Sequence, residues 1–264
     1  MFSKFKCKFS ARFDKIFLFG AIGHGFGRNF AFGRIFAAFG RYGGDKMIYK
    51  AAIFDMDGTL VDTLADLHES VNEMLAHYNF PLRTLDEVRN FVGNGAKKLM
   101  IRSLPADKGD FVDEALKFYN KCYERNCLNK VKPYEGILEL LSTLEAKKIP
   151  LGICTNKQHF AAVKIAEKTL APIKFGYISG DEPDKPRKPD PTRALEGAKK
   201  FGVVPAQVAY FGDTAVDIKT AINAGFLPIG VTWGFRPESE LVNAGAKIIV
   251  HHPKEILNAV EFAI

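Results

Sequence analysis

Residues 51–63 read AAIFDMDGTLVDT. The approach, from Ile48 through Phe54, is a mostly apolar run of strand length and predicts a short, largely buried β-strand. Asp55 and Asp57 end it with one residue between them, and Gly58 then breaks it. Both carboxylates therefore stand at the C-terminal tip of a strand. In a parallel α/β sheet, ligands bind at such tips. A carboxylate there is either buried at a cost or used on something positively charged.

Beyond Thr63 the pattern becomes helical. Leu64, Leu67, Val71, Met74, Leu75 and Tyr78 recur at intervals of three and four, the spacing of one helix face. Residues 85–91, 96–104 and 111–127 read as further helices, no strand is predicted between 64 and 134, and Pro133 closes the block. From Glu135 onward helices alternate with strands at 150–155, 207–212, 227–231 and 247–250. Such alternation predicts an α/β fold: a doubly wound parallel sheet, Rossmann-like, with helices on both faces. The expected division is a catalytic core of residues 47–63 and 135–264, with an all-helical cap, residues 64–134, inserted after the first strand.

Composition narrows the function classes. The chain has 264 residues, 47% of them hydrophobic, ample for a core. Cys7, Cys122, Cys127 and Cys154 form no CxxC pair, which fits a reduced, cytoplasmic protein. No run is long and apolar enough to span a membrane. The net charge of +7 is confined to residues 1–46, which hold nine Lys or Arg against two Asp, while the remainder holds 28 of each sign. The body therefore offers no support for a nucleic-acid or membrane role.

Residues 1–46 also hold eleven of the 23 Phe and eight of the 23 Gly. Phe2, Phe5, Phe9, Phe13 and Phe17 alternate with lysines in a basic amphipathic pattern, as in a membrane-surface or import segment. The preferred reading is a disordered extension, or sequence upstream of a domain that begins at Met47; no partner is assigned to it.

Three polar clusters join the opening pair. Thr155-Asn156-Lys157 ends the strand LGICT, Lys188 stands in KPRKPDP, and Asp213 and Asp217 stand in YFGDTAVD. Each lies at or near a strand's C-terminal end, so a parallel sheet gathers them on one rim. Crowded carboxylates repel unless a cation joins them, and oxygen ligands favour Mg²⁺. Lys188, Thr155 and Asn156 would hold the oxygens of a phosphate. A carboxylate beside that phosphate can attack phosphorus and form an aspartyl-phosphate. Asp57 is placed to protonate the leaving oxygen and then activate water. Isolated aspartates such as Asp66, Asp86 and Asp181 read instead as cap or turn residues. The histidines show no paired ligand spacing.

DMDGT at 55–59, CTN at 154–156, Lys188 and GDTAVD at 212–217 resemble, in order and spacing, the four motifs of the haloacid dehalogenase superfamily, over residues 48 to about 260. The resemblance implies Asp55 as nucleophile, Asp57 as general acid and base, and Asp213 as metal ligand. Asp57 would reach the metal through its backbone carbonyl. Asp217 would touch the metal or stand beside Lys188. A second aspartate after the nucleophile implies a phosphatase rather than a dehalogenase. FVGNGAKK at 91–98, with CTNK, RKPDP and GVTWGFR, further resembles bacterial phosphoglycolate phosphatases. A small phosphorylated metabolite, 2-phosphoglycolate, is then the expected substrate, with Asn94, Gly95 or Lys98 of the cap receiving its carboxylate. The alternatives are a sugar phosphate, nucleotide or pyrophosphate. A phosphosugar mutase fits less well: Leu67 stands where related mutases place a cap histidine, and Thr59 where they usually carry valine. A catalytically dead binding module would have lost Asp55 or Asp57, and both are present.

Overall fold

The structure, a computed structural model, describes residues 47–263. The expectation of a disordered extension over 1–46 falls outside those residues. The strands and helices run β1 (Ala51–Phe54), β2 (Val61–Asp62), α1 (Leu64–His77), α2 (Leu85–Phe91), α3 (Ala96–Ser103), α4 (Val112–Asn126), β3 (Lys132–Pro133), α5 (Ile137–Ala146) and β4 (Leu151–Gln158). The chain continues with α6 (His159–Thr169), β5 (Tyr177–Asp181), α7 (Thr192–Phe201), β6 (Val208–Gly212), α8 (Ala215–Ala224), β7 (Leu227–Val231), α9 (Glu238–Ala244), β8 (Ile248–Val250) and α10 (Ile256–Ala259).

Six strands form one parallel sheet in the order β5-β4-β1-β6-β7-β8. The order reverses beside β1, the arrangement of doubly wound nucleotide-binding folds. All four residues of β1 are buried, because helices cover both sheet faces and no position needs a polar side chain. Phe54 of β1 stacks on Phe211 of β6 at 4.7 Å between ring centroids. That contact fixes the spacing of the two strands whose tips matter most.

Helices α1 to α4 lie between β2 and β3. In α1, Leu64, Leu67, Val71, Met74 and Leu75 form the buried stripe anticipated from their spacing. Asp66, read from sequence as a cap or turn residue, is instead buried, and its carboxylate accepts the backbone N–H groups of Lys130 and Val131. It staples the exit of α4 to α1. The sequence predicts no strand between 64 and 134, yet β3 forms there and pairs antiparallel with β2, at Val61–Pro133 and Asp62–Lys132. Two residues per strand are too few to carry a period, and the ribbon exists only because the insertion's two ends meet. Strand β5 was likewise not read, and β1 is shorter than the apolar run. The residues before β1 pair elsewhere: Tyr49 bridges Phe262. No helix among the described residues is long and apolar enough to cross a membrane.

Candidate active site

Asp55 follows β1 and Asp213 follows β6, the two strands at the reversal of sheet order, where the tips splay and leave a crevice. The Asp55 N–H donates to the Phe211 carbonyl at 2.9 Å, which continues the ladder to its last rung. Asp217 enters from the first turn of α8. Its Oδ2 accepts from the backbone N–H and hydroxyl of Thr214, a capping box that holds the carboxylate at the helix start. Carboxylate oxygens of Asp55, Asp213 and Asp217 lie within 4.8 Å of one another, and all three residues are buried. Lys188 reaches between them, with Nζ 2.6 Å from Asp217 and 2.9 Å from Asp55.

Asp213 is fixed by three neighbours. Thr59 Oγ1 donates to its Oδ1 at 3.1 Å and the Phe235 N–H to its Oδ2 at 2.8 Å. Gly58, at φ +80°, lies against the carboxylate so closely that a Cβ there would collide with it. The glycine that breaks β1 is thus needed both for its backbone angle and for its missing side chain. Trp233 Nε1 donates to the Thr59 carbonyl and holds that loop in turn.

Negative charge is in excess here. Burial, then the carboxylates of Asp217 and Asp55, pushes the Asp213 carboxyl well above the usual range. Burial and Asp55 push Asp217 up to about 6, against the pull of Lys188. Burial alone would lower the Lys188 ammonium, yet Asp217 and Asp55 hold it above the ordinary lysine range. Asp55 Oδ1, although 2.9 Å from the ammonium, accepts no hydrogen bond of good geometry from the described residues. An all-oxygen donor set with an unfilled buried acceptor suits a hard divalent cation.

The Asp57 carboxylate faces another way. Thr63 Oγ1 donates to its Oδ1 at 2.7 Å, and Lys157 Nζ lies 2.6 Å from the same oxygen. Lys157 leaves β4 where its pairing with β5 shifts register between Cys154 and Gln158. Such bulges re-aim side chains; here the sheet tip turns Thr155, Asn156 and Lys157 toward the rim. Thr155 Oγ1 accepts the Lys157 N–H at 3.2 Å and keeps its own proton to donate. Asn156 is occupied: its Oδ1 accepts from the Lys188 N–H and Arg193, and its Nδ2 donates to the carbonyls of Lys188 and Gly93. It positions the Lys188 loop. Arg193, 1% exposed, completes that support by donating to the carbonyls of Thr155 and Pro186.

The inserted helices roof the cleft beside Asp55 and Asp57. Gly95, Leu99, Tyr119 and Tyr123 line it together with Thr155 and Lys157. Gly95 is the N-cap of α3, and Asn94 accepts from Arg102 at 2.8 Å. Lys98 is exposed and does not line the cleft. The structure thus brings Asp55, Asp57, Thr155, Asn156, Lys188, Asp213, Asp217 and Gly95 to one place, and leaves Asn94 and Lys98 off the cleft wall. Sequence reading missed Lys157, Arg193, Tyr119 and Tyr123 as site residues. The only signal was Lys157's position directly after Thr155-Asn156.

Comparison with known proteins agrees with this geometry. Residues 52–231 match the haloacid dehalogenase-like hydrolase family. The N-acetylmuramic acid 6-phosphate phosphatase of Pseudomonas aeruginosa is 31% identical, over 83% of this chain and 98% of its own. The phosphoglycolate phosphatase of Agrobacterium fabrum is 34% identical, over 70% of this chain and 81% of its own. Among solved structures, a provisionally named phosphoglycolate phosphatase from Lactobacillus delbrueckii subsp. bulgaricus superposes with a TM-score of 0.76 at 30% identity, covering 81% of this chain and 99% of that one. Sheet order, the strand-tip aspartates and these matches agree, and the chain belongs to the haloacid dehalogenase-like hydrolase family as one of its phosphatases.

Proposed function

We propose that the chain hydrolyses a small phosphate monoester with Mg²⁺ bound, and that 2-phosphoglycolate is its substrate. The observation that carries the chemistry is the buried trio Asp55, Asp213 and Asp217 with Lys188 reaching Asp55 and Asp217. In this reading an Asp55 oxygen attacks phosphorus and the bond from phosphorus to the ester oxygen breaks. The leaving oxygen takes a proton from Asp57. Water then attacks the aspartyl-phosphate and gives its proton to Asp57. The phosphorus bond to the Asp55 oxygen breaks, releasing phosphate and restoring both side chains. Both donors to Asp57 go to Oδ1, which leaves Oδ2 for that proton. Asp55, Asp213 and the Asp57 backbone carbonyl are the proposed Mg²⁺ ligands, and the ion offsets the charge that carboxylates and phosphate bring together. Asp217 holds Lys188 against the phosphate. Residues 47–63 and 135–264 act as the catalytic core, and residues 64–134 as a cap that excludes water once substrate is bound.

The substrate assignment rests on relatives named phosphoglycolate phosphatase. One observation favours a larger substrate: Gln158 Oε1 is buried in the cleft wall without a donor among the described residues. 2-Phosphoglycolate has no hydroxyl or amide to supply one, whereas a sugar acid phosphate has several. Steady-state release of phosphate from both esters, with Mg²⁺ and after chelation, tests the reading. Turnover of 2-phosphoglycolate that disappears on chelation is expected. Full activity without metal overturns the Mg²⁺ assignment, and turnover of the sugar acid phosphate alone moves the substrate to the second reading.

A further inference from the structure

We infer that Lys157 and Tyr123 form a subsite for a carboxylate that the substrate carries on its leaving alcohol. This rests on the phosphatase chemistry proposed above and names the feature by which substrate is chosen. The Lys157 side chain is 2% exposed and pairs with Asp57 Oδ1. Its ammonium also lies over the Tyr123 ring, 4.7 Å from the centroid. Tyr123 is itself 2% exposed, and its hydroxyl has no hydrogen-bond partner among the described residues. Both residues line the cleft next to Asp55 and Asp57. Burial and the neighbouring Asp57 carboxylate keep the phenol protonated, and therefore a donor.

An ammonium with one carboxylate partner, lying over the ring of a tyrosine whose O–H is unpaired among the described residues, gives this wall of the cleft two donors for an anion. Position tells which anion. Lys188 already serves the Asp55 side, where the phosphoryl group sits. Lys157 touches Asp57, the group that protonates the ester oxygen, so its neighbour is the alcohol and not the phosphoryl group. In 2-phosphoglycolate the carboxylate is one carbon from that oxygen, within reach of a group touching Asp57. The exposed Lys98 offers no such placement.

The test compares two ester pairs. One is 2-phosphoglycolate and 2-hydroxyethyl phosphate, and the other is N-acetylmuramic acid 6-phosphate and N-acetylglucosamine 6-phosphate. Each pair differs chiefly in the carboxylate. The parent enzyme is expected to favour 2-phosphoglycolate over 2-hydroxyethyl phosphate by about 100-fold in kcat/KM. Lys157→Met should cut that preference at least about tenfold, mainly through KM, and Tyr123→Phe about threefold or more, figures that one lost charge-assisted and one lost neutral hydrogen bond set. Tyr123→Phe removes a single oxygen and keeps the core filled, so it decides the matter if Lys157→Met fails to fold. Losses that are equal for acid and neutral ester in both variants overturn the subsite, since Lys157 then acts only through Asp57. A parent enzyme that prefers neither acid, or hydrolyses none of the four esters, overturns it as well. An acid preference confined to the sugar pair places the carboxylate site away from Asp57 and overturns the subsite.

Discussion

Asp213 and Asp217 sit where burial penalises negative charge and where the Asp55 carboxylate raises the proton affinity of both. With Asp217 pushed up to about 6 from an unfolded value of 3.8, the metal-free native state binds more protons than the unfolded chain across that window. The contribution of this group to stability without metal therefore falls as pH rises from about 4 to 6 and stays low above it. A divalent cation competes with those protons, so its benefit grows with pH. We expect Mg²⁺ to raise the melting temperature more at about pH 7.5 than at about pH 4.5, and Asp213→Asn to flatten the metal-free pH dependence. An equal Mg²⁺ increment at both pH values would count against the site. Asp55→Asn keeps the shape and removes the attacking charge. Turnover should fall by about 10³-fold or more, roughly 4 kcal/mol of barrier, with the melting temperature unchanged or raised. Residual activity within tenfold sinks the nucleophile assignment. These residues were legible in the sequence because each stands just past a predicted strand or within a short motif. Lys157, Tyr123 and Arg193 were not. Arg193 acts on Thr155 from 38 positions away, and a tyrosine on an amphipathic helix looks like core until the opposite wall is in place.

Helices α1 to α4 were readable because each carries a 3.6-residue period, and a face that must be buried announces itself. How they attach to the sheet was not readable, since attachment uses single polar contacts. Arg236, in the loop after β7, donates to the carbonyls of Arg89, Asn90 and Val92 at the end of α2. These are the carbonyls that a helix end leaves without partners. Asn156 adds a 3.3 Å bond to the Gly93 carbonyl. The glycine turn before α3 is thereby tied to the same side chain that holds the Lys188 loop. Arg236→Ala should free the end of α2, raise KM about threefold to thirtyfold with a smaller change in kcat, and cost about 1–2 kcal/mol of stability. Hydrogen exchange at residues 85–95 should quicken in parallel. An unchanged KM together with unchanged exchange would mean that the roof is held elsewhere.

At the scale of the molecule, the sequence showed that the sheet is parallel but not the order of its strands. Order depends on which crossovers pass which way, and no local pattern records that. The order matters because it makes β1 a central strand, flanked by β4 and β6, so the site depends on how the chain enters the sheet. That entry is held from the other end of the chain. The Tyr49 N–H donates to the Glu261 carbonyl, and the Ala263 N–H donates to the Tyr49 carbonyl. The six strands of the described sheet and the site groups named above lie among the described residues, 47–263, while the whole net charge of +7 lies in residues 1–46. A protein that begins at Met47 should therefore keep its melting temperature and its turnover of phosphate esters. It should lose whatever affinity the full chain has for anionic lipid or nucleic acid, because that attraction would come from lysines and arginines that are no longer present. A protein that begins at Ala51 lacks the Tyr49 pairing and should melt measurably lower, which shows that the assay can register a lost anchor. If the Met47 protein melts as low as the Ala51 protein, or loses turnover, residues 1–46 contribute to the fold and the proposed boundary at Met47 is wrong.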